Sequence, residues 1–175
     1  MACSPLTSGV ALECNLIQSG GLFDVRIASF ESVSADTATN FSVSAITMSG
    51  SAKYQKFEYP ENSFKAFAIE SAKINQENSS TFYEQTITFV IPKVQLTTIQ
   101  ALSLLAGRKL KVIAVDGNDK IRIYGHLKGC YATVIDSNSG TKRDDGSTIT
   151  LTFVANEPLQ APFVTSISVV DTVTA

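Results

Sequence analysis

The sequence predicts a mainly β fold: an antiparallel β-sandwich or rolled barrel of about ten strands with one short flanking α-helix. Short segments alternate apolar and polar residues, and turn signals separate them at intervals of about ten residues. The 175 residues are most economically one domain. We divide this domain into an amino-terminal arm (1–21), a β core (22–156) with a helix at 98–106, and a carboxy-terminal strand and tail (157–175).

The first part of the core reads as three strands and a long loop. Residues 22–30 place Phe23, Val25 and Ile27 on one face, which is the period of a strand. Residues 31–40 are polar and rich in turn formers, so we expect a loop there. Residues 41–47 and 53–59 alternate again, and each predicts one strand.

A long antiparallel pair is predicted at the centre of the chain. Apolar residues lie on both faces over 63–74 and line one side over 82–91. The polar segment that joins them has the length of a hairpin connection. Pro92 has no amide hydrogen to donate and should end the second strand.

One helix is predicted directly after this pair. Thr97 and Gln100 have capping-box spacing, and Ile99, Leu102 and Leu105 recur at helical intervals. Gly107 stands where a left-handed residue would end the helix. Because about ten residues are too few for a stable isolated helix, it should dock on a sheet.

The remaining sequence predicts a hairpin and three further strands. Residues 109–115 and 120–126 flank the turn signal "DGND". A strand is predicted at 130–136, followed by a polar tract. Two more are predicted at 148–154 and over the apolar run 163–170.

Composition and charge exclude several classes of function. The net charge is −2 with no block of Lys or Arg, so a nucleic-acid footprint is missing. No run of about 18 apolar residues exists, so no membrane insertion is expected. The first residues lack a basic start and an apolar core, and we expect no cleaved signal peptide.

The cysteines and the one histidine offer the first candidate chemistry. Cys3, Cys14 and Cys130 are an odd number at wide spacing, which indicates a reducing compartment during synthesis and leaves a Cys3–Cys14 bridge open. His126 and Cys130 suggest a nucleophilic pair. On one continuous strand they would lie about 13 Å apart, although a turn at Gly129 would weaken that argument. We favour a core cysteine and an exposed histidine.

Two acidic loops offer the second candidate chemistry. Asp116, Asn118 and Asp119 resemble part of a calcium loop, but the glycine and glutamate that such a loop needs are misplaced, so a hairpin turn is favoured. The tract 142–146, "KRDDG", could bind an ion, and a solvated loop is again favoured. Because the chain also lacks phosphate-loop and hydrolase motifs, we predict no catalytic residue, no cofactor site and no metal site.

Several segments together resemble virion structural proteins of tailed bacteriophages, in particular the tail tube (major tail) proteins of phages with Bacteroidetes-type hosts. The similar segments are "LECNLIQSGGLFDVRIASFESV", "SSTFYEQTITFVIPK", "LTTIQALSLLAGRKLKVIAVDGNDKIRIYG" and "TITLTFVANEPLQAPFV". In order and spacing they cover most of the chain.

The resemblance implies a tube-type fold and a self-assembling function. Copies of the chain would form a homo-oligomeric, hexameric ring, and stacked rings would make a channel for passage of double-stranded DNA as non-specific cargo. Other tail or neck proteins would be the further partners. The chain would be made in the bacterial host cytoplasm and end in the virion tail, and the helix would be a packing element. The arm and the polar segments 31–40, 75–80 and 137–147 would contact neighbouring rings.

Two other functions remain open at this point. The chain could be another virion component, such as a neck, tail-terminator or capsid-decorating protein, which would form one ring or a surface ornament. It could also be a carbohydrate-binding β-sandwich, although the missing Trp counts against that reading. A hydrolase on a β scaffold is a more distant alternative.

Overall fold

The computed structural model describes residues 20–57, 66–77, 80–92, 96–142 and 145–175. Within these ranges the chain forms thirteen β-strands, two α-helices and one 3-10 turn at Phe30–Ser32. The strands are β1 Leu22–Ser29, β2 Val33–Ala35, β3 Ala38–Thr39, β4 Ser42–Val43, β5 Thr47–Met48, β6 Gln55–Phe57, β7 Ala66–Asn75, β8 Ser80–Pro92, β9 Leu110–Asp116, β10 Ile121–Tyr124, β11 Tyr131–Asn138, β12 Thr148–Glu157 and β13 Phe163–Val164. The helices are α1 Leu96–Ser103 and α2 Ile167–Asp171.

Two large sheets contain most of the strands. The seven-stranded sheet has the order β3-β4-β13-β10-β9-β1-β6, and the four-stranded sheet has the order β11-β12-β8-β7. Strands β2 and β5 form a small separate sheet. The assigned strand pairs are antiparallel except β13 and β4, which run parallel.

The first hydrophobic core lies between the two large sheets. Phe89 and Phe153 of the four-stranded sheet are fully buried there, and their ring centroids are 5.7 Å apart. Val25 and Val112 of the seven-stranded sheet belong to the same cluster, as does Leu102 of α1. Two sheets that share one core form a sandwich. The predicted mainly β fold is therefore confirmed, and α1 packs on the sandwich as expected.

A second core lies on the opposite face of the seven-stranded sheet. Ile113 and Ile123 from the middle of that sheet pack there with Val43, Tyr54 and Val170. Because this sheet is buried on both faces, β9 is apolar at nearly every position and does not alternate. Helix α2 and the segment around β4 and β5 supply the covering layer.

A partly buried ion pair connects the first strand of the fold to its last helix. The Arg26 guanidinium donates to the Asp24 carboxylate at 2.8 Å and to the Asp171 carboxylate at 2.7 Å, and it also reaches the Thr174 hydroxyl. Burial alone would lower the pKa of Arg26, but the hydrogen bonds to Asp24 and Asp171 outweigh it and raise the pKa. Arg26 is therefore a charged residue that links β1 of the seven-stranded sheet to α2 of the covering layer.

The helix prediction was correct in place and inexact in its bounds. Helix α1 begins at Leu96, so Thr97 lies inside the first turn and not at the N-cap position. It ends at Ser103, and turn residues lead to Gly107, which has the expected positive φ of 74°. Ile99, placed on the apolar face by its spacing, is 47% exposed, whereas Leu102 is buried.

Three predictions of single elements were wrong. The run 163–170 is a strand only at Phe163–Val164 and then turns into α2, because burial of Val170 outweighs the strand preference of its neighbours. Residues 41–47 form two separate short strands, β4 and β5, and the expected loop at 31–40 contains β2 and β3. The carboxy-terminal segment is thus part strand and part helix.

Some predictions lie outside the described residues. These are most of the amino-terminal arm, with the open Cys3–Cys14 bridge, and parts of the strands predicted at 53–59 and 63–74. The described parts of those two strands are β6 and most of β7.

Candidate functional site

His126 and Cys130 belong to a loop and not to one strand. Strand β10 ends at Tyr124, and Gly125 and Gly129 both have positive φ, so the premise of a continuous strand was wrong. The His126 ring Nε2 lies 2.7 Å from the backbone oxygen of Asp36, which fixes the ring against the segment after β2. Cys130 points into the first core and is fully buried. The two side chains are thus held by different partners.

The Cys130 thiol is poorly suited to act as a nucleophile. Burial raises its pKa, and the charge of Glu157 raises it further. Since the thiolate is the reactive form, the folded protein keeps this sulfur protonated and covered.

Alkylation should therefore detect Cys130 only after unfolding. In a Cys3→Ser/Cys14→Ser variant, we expect iodoacetamide at pH 8 to label Cys130 only as fast as the whole protein unfolds. In urea the thiol should react freely, with a pKa near its ordinary value of about 8.5. Rapid labelling of the native protein, at the rate seen in urea, would contradict the burial of this thiol.

The acidic residues of the β9–β10 turn have a structural role, because Asp116 accepts hydrogen bonds from the backbone of the turn. Asp116 Oδ1 accepts the N–H groups of Asn118 at 2.8 Å and of Lys120 at 2.9 Å. Asp119 adopts a positive φ of 57° as the turn residue. The carboxylate thus closes the turn between β9 and β10, as the turn interpretation predicted.

The second acidic loop is also held by local hydrogen bonds. Asp145 Oδ2 accepts from the backbone N–H groups of Thr141 and Lys142 and from the Thr141 hydroxyl. These bonds lower the pKa of Asp145. Throughout the described ranges, no three His, Cys, Asp or Glu side chains group together as a metal site would require.

The outer face of the four-stranded sheet is the most distinctive surface. Its central rows are threonine and valine, and Thr88 Oγ1 lies 3.1 Å from Thr152 Oγ1 across β8 and β12. On β7 the same face exposes Phe67 at 48% and Ile69 at 53%. The residues that form these central rows are Thr86, Thr88, Val90, Thr150, Thr152 and Val154. This face is therefore uncharged along its two central strands and apolar along β7, and Asp136 of β11 lies beside Thr150 on the same face.

Two long strands lie at the edges of this sheet. In the described part of the chain, β7 pairs only with β8, and β11 pairs only with β12. Ten residues of β7 and eight of β11 thus each have one side of their backbone without a strand partner. The far end of the β7–β8 pair is exposed on both strands, with Ile74 at 68% and Phe82 at 43%. Long edge strands of this kind can pair with another chain.

A cavity of about 570 Å³ opens beside the loop 125–129. Asp36, His126 and Glu157 are its titratable lining residues, and Phe41, Leu127 and Leu159 contribute apolar walls. Asp36 and Glu157 were not predicted from the sequence as site residues. The signal for Glu157 was available, because Ile149, Leu151, Phe153 and Ala155 alternate inward along β12 and the glutamate takes the next inward position.

Nothing in the described chain is a helix long and apolar enough to cross a bilayer. No protein-family model, curated protein or solved structure matches the chain.

Proposed function

We propose that this chain is a structural subunit of a bacteriophage tail tube, whose copies join into rings that stack around a channel for DNA. The observation that carries the proposal is the four-stranded sheet with its two long edges, β7 and β11. An edge strand in solution is a site of uncontrolled association, and a ring removes that hazard by pairing the edge of each copy with the next.

The two edges suit a head-to-tail ring. They lie on opposite sides of one sheet, so a contact from β7 of one copy to β11 of the next uses two different surfaces. A heterologous contact of this kind forms a closed ring when the rotation between copies divides a circle. The four-stranded sheets would then continue from copy to copy around the ring.

The outer face of the same sheet suits the wall of a DNA channel. Its central rows carry threonine and valine without a charged side chain, so a phosphate backbone would find no cation to bind there. On the same face Asp136 of β11 lies beside Thr150, and the ion pair of Lys73 with Glu84 at 3.5 Å lies toward the exposed end of the hairpin. A wall that is neutral to acidic would let DNA move without being held.

Charge placed on the β7 edge should prevent assembly and leave the fold intact. Ile69 is 53% exposed, so Ile69→Lys should change the free energy of unfolding by less than about 0.5 kcal/mol. Ile69 belongs to the edge strand itself, so in an assembled ring its side chain would lie beside β11 of the neighbouring copy, and a lysine on an edge strand disfavours pairing with another strand. We expect the wild type to form rings or hollow filaments in negative-stain electron microscopy and Ile69→Lys to remain monomeric by light scattering.

The matched control is Leu104→Lys. Leu104 is 59% exposed in the turn after α1 and belongs to neither edge strand, and this variant should assemble like the wild type. A wild type that stays monomeric at high concentration would refute the tube and favour a decorating or ligand-binding domain. Single rings that never stack would favour a neck or terminator protein.

A further inference from the structure

An exposed phenylalanine in the wall of the cavity beside the loop 125–129 has a strained backbone. Asn40 and Phe41 are the two central residues of the turn between β3 and β4, and their φ angles are 51° and 59°. Such a turn favours glycine at its second position, because a left-handed backbone disfavours a residue with a Cβ. The Phe41 side chain is 52% exposed, so its burial offsets little of this strain. Strain of this kind is found where a ligand uses the side chain.

Hydrogen bonds hold two walls of this cavity in place. The backbone oxygen of Phe41 accepts the N–H group of Phe163 at 2.8 Å, which fixes the β3–β4 turn. On the loop 125–129, Leu127 donates its N–H group to Glu157 Oε1 at 3.1 Å. The cavity is therefore preformed, and a ligand would lose little of its binding free energy to ordering these walls.

The charged residues that line the cavity are bonded within the protein. Asp36 is paired with Lys111, and His126 Nε2 lies 2.7 Å from the backbone oxygen of Asp36. Glu157 is 2% exposed and bonded to backbone amides, so it is not open to a ligand. Neither lysine nor arginine is among the described residues of the lining, so an anion would find no cation there. These features favour a neutral ligand.

The exposed groups of the cavity are an aromatic ring, aliphatic side chains and neutral amides. Besides Phe41, Leu127 and Leu159 line the cavity and are 46% and 52% exposed. Asn40 and Gln160 are also exposed and line the same cavity. A side-chain amide both donates and accepts hydrogen bonds, as a hydroxyl group does. The accessible surface therefore suits a molecule with one apolar face and several hydroxyl groups.

We propose that this cavity binds a neutral sugar ring, with its C–H face against Phe41 and its hydroxyl groups bonded to Asn40 and Gln160. A pyranose has an apolar face of C–H groups and a rim of hydroxyl groups, which matches these two kinds of lining group. The volume of about 570 Å³ lies within the range of ligand cavities, about 300 to 1,000 Å³. This inference goes beyond the tube proposal and does not depend on it, because sugar binding can be measured in any state of assembly.

The first test is saturation-transfer NMR of the full chain with four neutral sugars, the methyl glycosides of glucose, galactose, mannose and N-acetylglucosamine. We expect saturable binding of at least one of them. Cyclohexanol has a ring of the same size with a single hydroxyl group, and it should bind at least about tenfold more weakly than that sugar. No saturable binding of any of the four sugars, or tighter binding of cyclohexanol, would overturn the proposal.

The variant Phe41→Gly separates sugar binding from stability. Glycine removes the ring and adopts a positive φ without strain, so this variant should unfold in urea at a midpoint no lower than that of the wild type. It should nevertheless bind the sugar at least about tenfold more weakly. Phe41→Tyr keeps the ring and should retain the affinity. Unchanged affinity of Phe41→Gly would overturn the proposal.

The matched control for the aromatic ring is Phe82→Ala. Phe82 is 43% exposed on β8 and is not among the described residues that line the cavity, so this variant should bind the sugar like the wild type. An equal loss of affinity in Phe82→Ala and Phe41→Gly would place the sugar elsewhere and overturn the proposal.

The variant Gln160→Ala tests the hydrogen bonds to the hydroxyl groups. It removes an exposed side chain and should weaken sugar binding about threefold to tenfold, while the weak binding of cyclohexanol should stay unchanged. An equal loss for both molecules would mean that the cavity recognises apolar surface alone, and it would overturn the assignment of a sugar.

Discussion

Replacing Gly125 with alanine should destabilise the protein by more than about 4 kcal/mol, a loss that few single substitutions reach. Gly125 has a φ of 67°, which alone costs a residue with a Cβ about 1–2 kcal/mol. A Cβ at this position would also lie 2.5 Å from the backbone nitrogen of Cys130 and 2.5 Å from its sulfur. The backbone atom cannot move without breaking the bridge between Cys130 and Leu110. Urea unfolding followed by circular dichroism would measure the loss.

Two other glycines separate the free-energy cost of the positive φ from the cost of the overlap with Cys130. Gly50 has a φ of 60°, but no atom of the described residues lies within 4 Å of an added Cβ, so Gly50→Ala should lose only the conformational part, about 1–2 kcal/mol. Among the described residues a Cβ on Gly20 also meets nothing within 4 Å, and Gly20→Ala should change the free energy of unfolding by less than about 0.5 kcal/mol. Adding Cys130→Ala to Gly125→Ala should recover a part of the loss, because it removes the sulfur and leaves the backbone overlap. Equal stability of the Gly125 and Gly50 variants would contradict the close packing of the loop.

Truncating Phe153 should cost about 3–5 kcal/mol of the free energy of unfolding. Its side chain is fully buried between the two sheets and stacks on Phe89 at an interplanar angle of 21°. Phe153→Ala removes the ring from the middle of the first core and leaves a cavity that two facing sheets cannot close. The measurement is again a urea unfolding curve, with the midpoint and slope compared with those of the wild type.

The control for this prediction is Phe82→Ala on β8. Phe82 is 43% exposed near the end of the hairpin, so its loss should cost less than about 1 kcal/mol in the monomer. Phe153→Leu should fall between the wild type and Phe153→Ala, since it retains part of the buried volume. A small loss for Phe153→Ala, similar to that for Phe82→Ala, would mean that the two sheets do not share a rigid core.

The sequence predicted best the elements whose signals are local. The β9–β10 hairpin follows from two apolar runs and a turn of Asp, Gly and Asn, and Asp116 closes that turn by bonding to its own neighbours. The alternation of β12 likewise survives in the structure, where Ile149, Leu151 and Phe153 are buried. In these segments local preference and tertiary packing agree.

The prediction failed where distant contacts decide the conformation. Residues Ile167–Asp171 include β-branched valines, which favour strands, yet they form α2 because Val170 packs on the second core and Arg26 binds Asp171. No local pattern indicates a partner so far away in the chain. The short strands β2 and β3 were missed, and the one strand predicted at 41–47 is divided between β4 and β5, for the same reason, since β4 is held by β13 from the other end of the chain.

The candidate site was predicted less well than the fold. The Glu157 carboxylate accepts hydrogen bonds from backbone amides of the loop 125–129. No sequence motif marks these amides as its partners. Asp36 was placed in a polar loop, and only the fold brings it to Lys111 and His126. The sequence could indicate a charged residue at an inward position of β12, but not the cavity beside it.

The link between Arg26 and Asp171 has a consequence for how the chain reaches its structure. These residues are 145 apart in the sequence, and the backbone of Tyr54 is also paired with residues 173–175. Closing loops of that length costs conformational entropy before the distant contacts can form. Folding should therefore be slow for a domain of this size. We expect the contacts of α2 to form after the rate-limiting step. Weakening them should then speed unfolding and leave the folding rate nearly unchanged.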